Sequence, residues 1–151
     1  MKYFRFINYL ILFITFQLIQ LILNVVFLPF EFNIDIFLIL LVLFGTLFNS
    51  EKIVFPIFLT GIFYDLFFST NFVGVYSSLY IFILLLASYA NDNFSKSYFQ
   101  KAMIFFLSYL IYNFFNLIEY NSSFLTFYSI VNFTISFLIF ISLEKLINRN
   151  V

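Results

Sequence analysis

Long apolar runs broken by short polar stretches make up nearly the whole chain. The runs cover residues 6–28, 34–48, 53–68, 73–90, 102–118 and 124–143. A helix needs about 20 mostly apolar residues to cross the hydrocarbon core of a bilayer, and the six runs are read as six such helices. Pro29 ends the first. The polar turn Asn49-Ser50-Glu51-Lys52 separates the second from the third. Pro56 falls in the first turn of the third, where its missing N–H is harmless. The longest polar stretch, 91–101, precedes the fifth, and a short tail, 144–151, follows the sixth. The second and third runs are short, and a re-entrant hairpin is the competing reading. It would carry Glu51 and Lys52 to membrane depth, at about 2.5–3.5 kcal/mol for each charge. Two full spans cost less. The expected fold is therefore an all-α, six-helix transmembrane bundle forming a single domain over residues 1–151.

Composition narrows the class further. Of the 151 residues, 64% are hydrophobic and 9% charged. Soluble domains average roughly 45–50% apolar and about 25% charged residues, so a soluble surface is excluded. Too little charge excludes disorder and a coiled coil, and the absence of Cys excludes a disulfide scaffold. Six spans use roughly 120 residues, which leaves no room for a soluble domain. Any function must sit in the helices or on the membrane surfaces.

The few charges set the orientation. Lys2, Arg5, Lys52, Lys96, Lys101, Lys145 and Arg149 all fall in the N-terminal tail, the second loop, the fourth loop or the C-terminal tail. In a six-span layout those four regions share one side. The other three loops carry only Glu31, Asp35 and Glu119. The positive-inside rule then puts both termini in the cytoplasm. The first apolar run is longer than the 7–15 residues of a signal-peptide core, and no small-residue cleavage site follows it. It reads as an uncleaved anchor.

Phe, at 28 residues, is the extreme of the composition. Residues with A/T-rich codons (Phe, Ile, Asn) are abundant and those with G/C-rich codons (Ala, Gly, Arg, Pro) are scarce, as an A/T-rich bacterial genome would give. Most Phe then reads as lipid-facing bulk. With no Trp, the aromatic belt falls to Tyr, and Tyr3, Tyr76, Tyr89, Tyr98, Tyr120 and Tyr128 lie near the expected interfaces.

Much chemistry is ruled out. With neither His nor Cys, imidazole catalysis, thiol nucleophiles and His or Cys metal sites are excluded. Only Gly45, Gly61 and Gly74 exist, so there is no Gly-rich phosphate loop. Zero net charge and no sizeable basic patch argue against nucleic acid as a partner. Tyr64-Asp65 looks like half of an aspartyl intramembrane protease, but that chemistry needs a second carboxylate in another span, and none is evident. The chain is read as non-enzymatic, with no cofactor and no metal.

Asp65 stands out as an acid well inside a span, and such residues are functional candidates that face the bundle interior. Gly61 lies one turn earlier on the same face and Ser69 one turn later. A small residue there lets a neighbouring helix approach closely. Counting from the cytoplasmic ends, Gln20 (with Gln17 and Asn24), Asn113 and Asn116 reach a similar depth. From outside, so do Ser77, Ser78, Ser129 and Asn132. The expectation is one polar layer in the outer half of the bundle, centred on Asp65, serving as internal glue or as a ligand pocket. Glu31 and Asp35 are expected on the external surface. The stretch from Asp92 to Lys101 reads as an interfacial connector.

The residues around Asp65 also carry a likeness. Gly61-Ile62-Phe63-Tyr64-Asp65-Leu66-Phe67-Phe68-Ser69-Thr70 leads through Asn71-Phe72-Val73 to Gly74. This resembles the central signature of the rod shape-determining protein MreD family: a Gly ahead of an Asp, a small-polar turn, and a Gly opening the next span. Ser69 stands where the family usually has Gly. The specific likeness covers about thirty residues, through Tyr89, and beyond it the chain resembles the family in layout alone. The resemblance implies a non-enzymatic subunit of the bacterial cell-elongation machinery in the cytoplasmic (inner) membrane. It implies an MreC-like partner and, through it, MreB, RodA and a penicillin-binding protein, in the control of peptidoglycan synthesis and cell shape. It also implies a fold resembling the substrate-binding subunits of ECF transporters. An alternative is therefore a vitamin-type substrate-binding subunit. The first span has no Gly, Ala or Ser for docking to a coupling protein, which favours the scaffold.

Overall fold

A computed structural model describes residues 2–27, 35–47, 52–69, 73–93, 98–120 and 127–149. They are helical almost throughout: α1 (Lys2–Phe27), α2 (Ile36–Leu47), α3 (Val54–Phe67), α4 (Val75–Asn93), α5 (Tyr98–Tyr120) and α6 (Phe127–Arg149). One helix falls on each apolar run. Among the described residues, two stretches are long and apolar enough to cross a membrane, Phe6–Phe27 and Ser129–Ile147; α2 and α3 are shorter apolar helices.

Neighbouring contacts give the direction of each helix. Phe13 of α1 meets both Phe37 and Phe44 of α2, and Tyr9 meets Phe44, so α1 and α2 run antiparallel. Phe37 stacks near Tyr80 and Gly45 lies against Ala87, so α2 and α4 run parallel. Phe6 meets Phe55, which sets α3 parallel to α1. Lys101 pairs with Glu144 and Tyr109 bonds Ser129, so α5 and α6 are antiparallel. Directions alternate along the chain. The start of α1 and the end of α6 therefore share one end of the bundle, together with Lys52, Lys101 and Lys145.

α2 lies at the centre, against α1, α4, α5 and α6. Eight of its twelve residues are buried, which suits a helix that is apolar on all sides. Two close approaches hold α4 in place. A methyl on Gly45 would meet Ala87 Cβ at 2.7 Å and the Leu84 carbonyl at 2.8 Å, and one on Gly61 would meet the Ser77 backbone nitrogen at 2.6 Å. Larger residues at these positions would push the helices apart and forfeit dispersion contacts on both sides.

Phe has two roles where one was expected. Phe55, Phe67, Phe82 and Phe99 are exposed, as bulk on the outer surface. Phe13, Phe37, Phe105 and Phe140 are fully buried. Phe105 sits 5.0 Å from Phe140 and 5.7 Å from Phe137, an aromatic seam that joins α5 to α6. Tyr76 is corrected too. It is buried at 1% exposure, its ring 4.5 Å from that of Tyr64, and so belongs to the core rather than an interfacial belt. Tyr89 is 68% exposed, as a belt residue would be. The side chains of Tyr3, Tyr98, Tyr120 and Tyr128 lie outside the described residues.

Candidate functional site

Asp65 sits in the last turn of α3, buried at 3% exposure. Its Oδ2 accepts the backbone N–H of Gly74 at 2.8 Å and of Ser77 at 3.4 Å; its Oδ1 accepts that of Tyr76 at 3.0 Å. These are the N–H groups that the first turn of a helix leaves without an intrahelical acceptor. Asp65 thus caps α4 from the preceding helix, where the positive end of the helix dipole favours a carboxylate. Gly74 makes the turn possible: its φ is +108°, a conformation that side chains with a Cβ rarely adopt. Ser77 closes the turn, its hydroxyl donating to the Gly74 carbonyl at 3.0 Å. Gly61, one turn before Asp65, brings the α4 backbone close enough for these bonds to form. The four residues form one junction.

Gln20 does the same for α2. Buried at 1% exposure, it accepts the N–H of Ile36 at 2.6 Å and of Phe37 at 3.4 Å through Oε1. Its Nε2 donates to Asn24 Oδ1 at 2.7 Å. α1 continues seven residues past Gln20, about 10 Å at 1.5 Å per residue, so α2 begins well below the end of its neighbour. A helix starting inside a bundle cannot satisfy its first N–H groups with solvent and needs a side chain from elsewhere.

Asp35, expected on the surface beside Glu31, is instead buried at 2% exposure; Glu31 lies outside the described residues. The physical reason is a partner distant in sequence. Asp35 is hydrogen-bonded to the side chain of Asn113 on α5, while Gln20 occupies the N–H groups that Asp35 would otherwise cap. Asn113 also donates to the Tyr109 carbonyl at 3.0 Å, and the Tyr109 hydroxyl donates to the Ser129 carbonyl at 3.2 Å. Asp35, Asn113, Tyr109 and Ser129 thus tie α2, α5 and α6 together.

The expected polar layer is therefore divided. One part is the Asp65 junction, another the Gln20 cap, a third the Asp35–Asn113 tie. Gln17 stands separately, accepting the Tyr80 hydroxyl at 3.4 Å. Asn132 is buried, and its Oδ1 has no hydrogen-bond partner among the described residues. Ser69 is half-buried at the end of α3, its N–H donating to the Tyr64 carbonyl at 3.1 Å. Ser78 is exposed and donates to the Val75 carbonyl of its own helix. The Asn116 side chain lies outside the described residues. Among the described residues, the hydrogen bonds to Asp65 come from the α3–α4 turn and the start of α4.

Glu144 is the third buried acid, at 3% exposure. It forms an ion pair with Lys101, which is itself only 17% exposed, at the basic end of the bundle. Its place at the head of the 144–151 stretch suggested a tail residue; the matching cation lies across the α5–α6 seam, 43 residues away.

No family model matches the chain, and neither a curated protein nor a solved structure is similar to it.

Proposed function

We propose that the protein is a multi-pass, non-enzymatic subunit of the bacterial cell-elongation machinery in the cytoplasmic membrane, scaffolding an MreC-like protein. Through that partner it would act on MreB, RodA and a penicillin-binding protein to control peptidoglycan synthesis and cell shape. All six helices cross the membrane in this reading, with both termini in the cytoplasm.

The observation that carries the proposal is the use made of the signature residues. Gly61, Asp65 and Gly74, the residues on which the family likeness rests, meet in one junction that starts α4 inside the bundle. In this chain the three residues thus act together as one structural device, which supports the reading. Membrane insertion is supported by the outer surface. Ile22, Val25, Leu66, Phe67, Ile130 and Leu138 are all at least 60% exposed, an apolar cover that would aggregate in water. Alternating helix directions gather Lys52, Lys101 and Lys145 at one end, which agrees with the positive-inside rule.

The carrier reading loses support from the same geometry. Gln20 and Asp65 spend their acceptors on helix N–H groups, and Gln17 on a tyrosine hydroxyl. Polar side chains consumed in this way do not line a solute pocket.

Co-purification tests the proposal. The protein, tagged and solubilised from its own membranes, should carry an MreC-like single-span protein in stoichiometric amount. A stoichiometric vitamin-sized solute in place of that partner would overturn the scaffold reading.

A further inference from the structure

α3 is short for a helix on the outer surface of the bundle. Its apolar stretch runs from Ile53 to Phe68, between Lys52 and Ser69. That is about 24 Å at 1.5 Å per residue, against a hydrocarbon core of about 30 Å. α2 is shorter still, but it lies at the centre, against four other helices. α3 instead turns Phe55 and Leu66 outward, at 58% and 60% exposure, on one face about three turns apart. α1 measures the deficit. The ring of Phe6 meets that of Phe55 at 5.6 Å, which levels these two parallel helices. From that level α1 runs on to Phe27, about 31 Å, and α3 only to Phe67, about 18 Å. α1 thus overtops the end of α3 by about 13 Å. Its last turns rise past that end with Ile22, Val25 and Val26 exposed.

The α3–α4 turn is tied down at this depth. Asp65 holds the N–H groups of Gly74, Tyr76 and Ser77, and drawing either helix end upward would break those bonds. Lys52, exposed at the other end, has a stem long enough to reach the interface; Ser69 does not. The polar backbone of a turn does not face hydrocarbon. A span shorter than the bilayer is matched by thinning the bilayer beside it. We infer that the exposed face of α3 selects short-chain phospholipid and thins the outer leaflet over the α3–α4 turn. The inference rests on the proposed insertion of all six helices and adds to it the kind of lipid that this face takes.

The chain has no Trp, so an introduced one is a unique fluorophore. The full chain carrying Leu66→Trp is reconstituted in phosphatidylcholine, and quenching by the dibromostearoyl lipid is measured against unbrominated dimyristoleoyl or dioleoyl lipid. Leu138→Trp is the reference, at 60% exposure on α6, whose apolar stretch Ser129–Ile147 is about 28 Å long. At Leu66→Trp the shorter dimyristoleoyl lipid should displace the brominated lipid about twofold more effectively than dioleoyl lipid does. At Leu138→Trp dioleoyl lipid should be the better competitor. Phe55→Trp, on the same face of α3, carries the test should Leu66→Trp fail to fold. The same chain-length preference on α3 and α6, or a dioleoyl preference on α3, would overturn the inference and leave membrane insertion standing. Brominated lipid that quenches neither helix would overturn insertion as well, so the two failures are distinct.

Discussion

Replacing Asp65 separates a capping carboxylate from one that serves a ligand. Three backbone N–H groups converge on it, at 2.8, 3.0 and 3.4 Å. Asn in its place turns one oxygen into an amide that itself donates, so a donor would face a donor. Ala removes both acceptors. Each buried donor left without an acceptor costs about 1–3 kcal/mol. The unfolding midpoint should fall from wild type to Asp65→Asn and further to Asp65→Ala. Equal midpoints would show that the α4 start does not depend on this side chain. The glycines act by different physics and should respond differently. Gly61→Ala drives a methyl into the Ser77 backbone, an overpacking penalty of about 1–3 kcal/mol. At Gly74 the space is open and the conformation is the obstacle. Gly74→Asn should therefore be tolerated better than Gly74→Val, while Asn and Val should both fail at Gly61. Circular dichroism melts of the five glycine variants check the order.

At the scale of the helices, the apolar runs located all six elements, and the breaks at 49–52 and near Gly74 placed the α2–α3 and α3–α4 turns to within a few residues. The ends of α5 and α6 were less legible. The runs suggested 102–118 and 124–143, whereas the helices extend to Tyr98 and Arg149. Charge is why: Lys101 and Glu144 read as breaks in an apolar pattern, but each is neutralised by the other, so the helices continue through them. Asp35 was misplaced for a different reason: the side chain it faces, Asn113, is far along the chain. Removing one member of a buried ion pair costs about 3–5 kcal/mol, because the other charge is left alone. Lys101→Ala and Glu144→Ala should each destabilise the α5–α6 seam. The exchange Lys101→Glu with Glu144→Lys should recover much of the loss, measured as a double-mutant cycle on the unfolding midpoint. A double exchange no better than the single variants would show that the pair is not an isolated unit.

At the scale of the molecule, the proposed six-span layout puts both termini in the cytoplasm. The absence of Cys makes this straightforward to test, since an introduced thiol is unique. Cysteines at positions 2 and 151 should resist an impermeant thiol reagent in intact cells, and one at position 31 should react. Reaction at position 2 would contradict the six-span layout.

The bundle stands or falls on helices that begin inside it and borrow their caps from a neighbour. Amide hydrogen exchange over the first turn of α4, compared between wild type and Asp65→Ala in a bilayer disc, tests that claim most directly. Tyr76 and Ser77 should be protected in the wild type and exchange quickly in the variant, while protection along α6 is unchanged. Equal protection of that turn in both proteins would contradict the role assigned to Asp65.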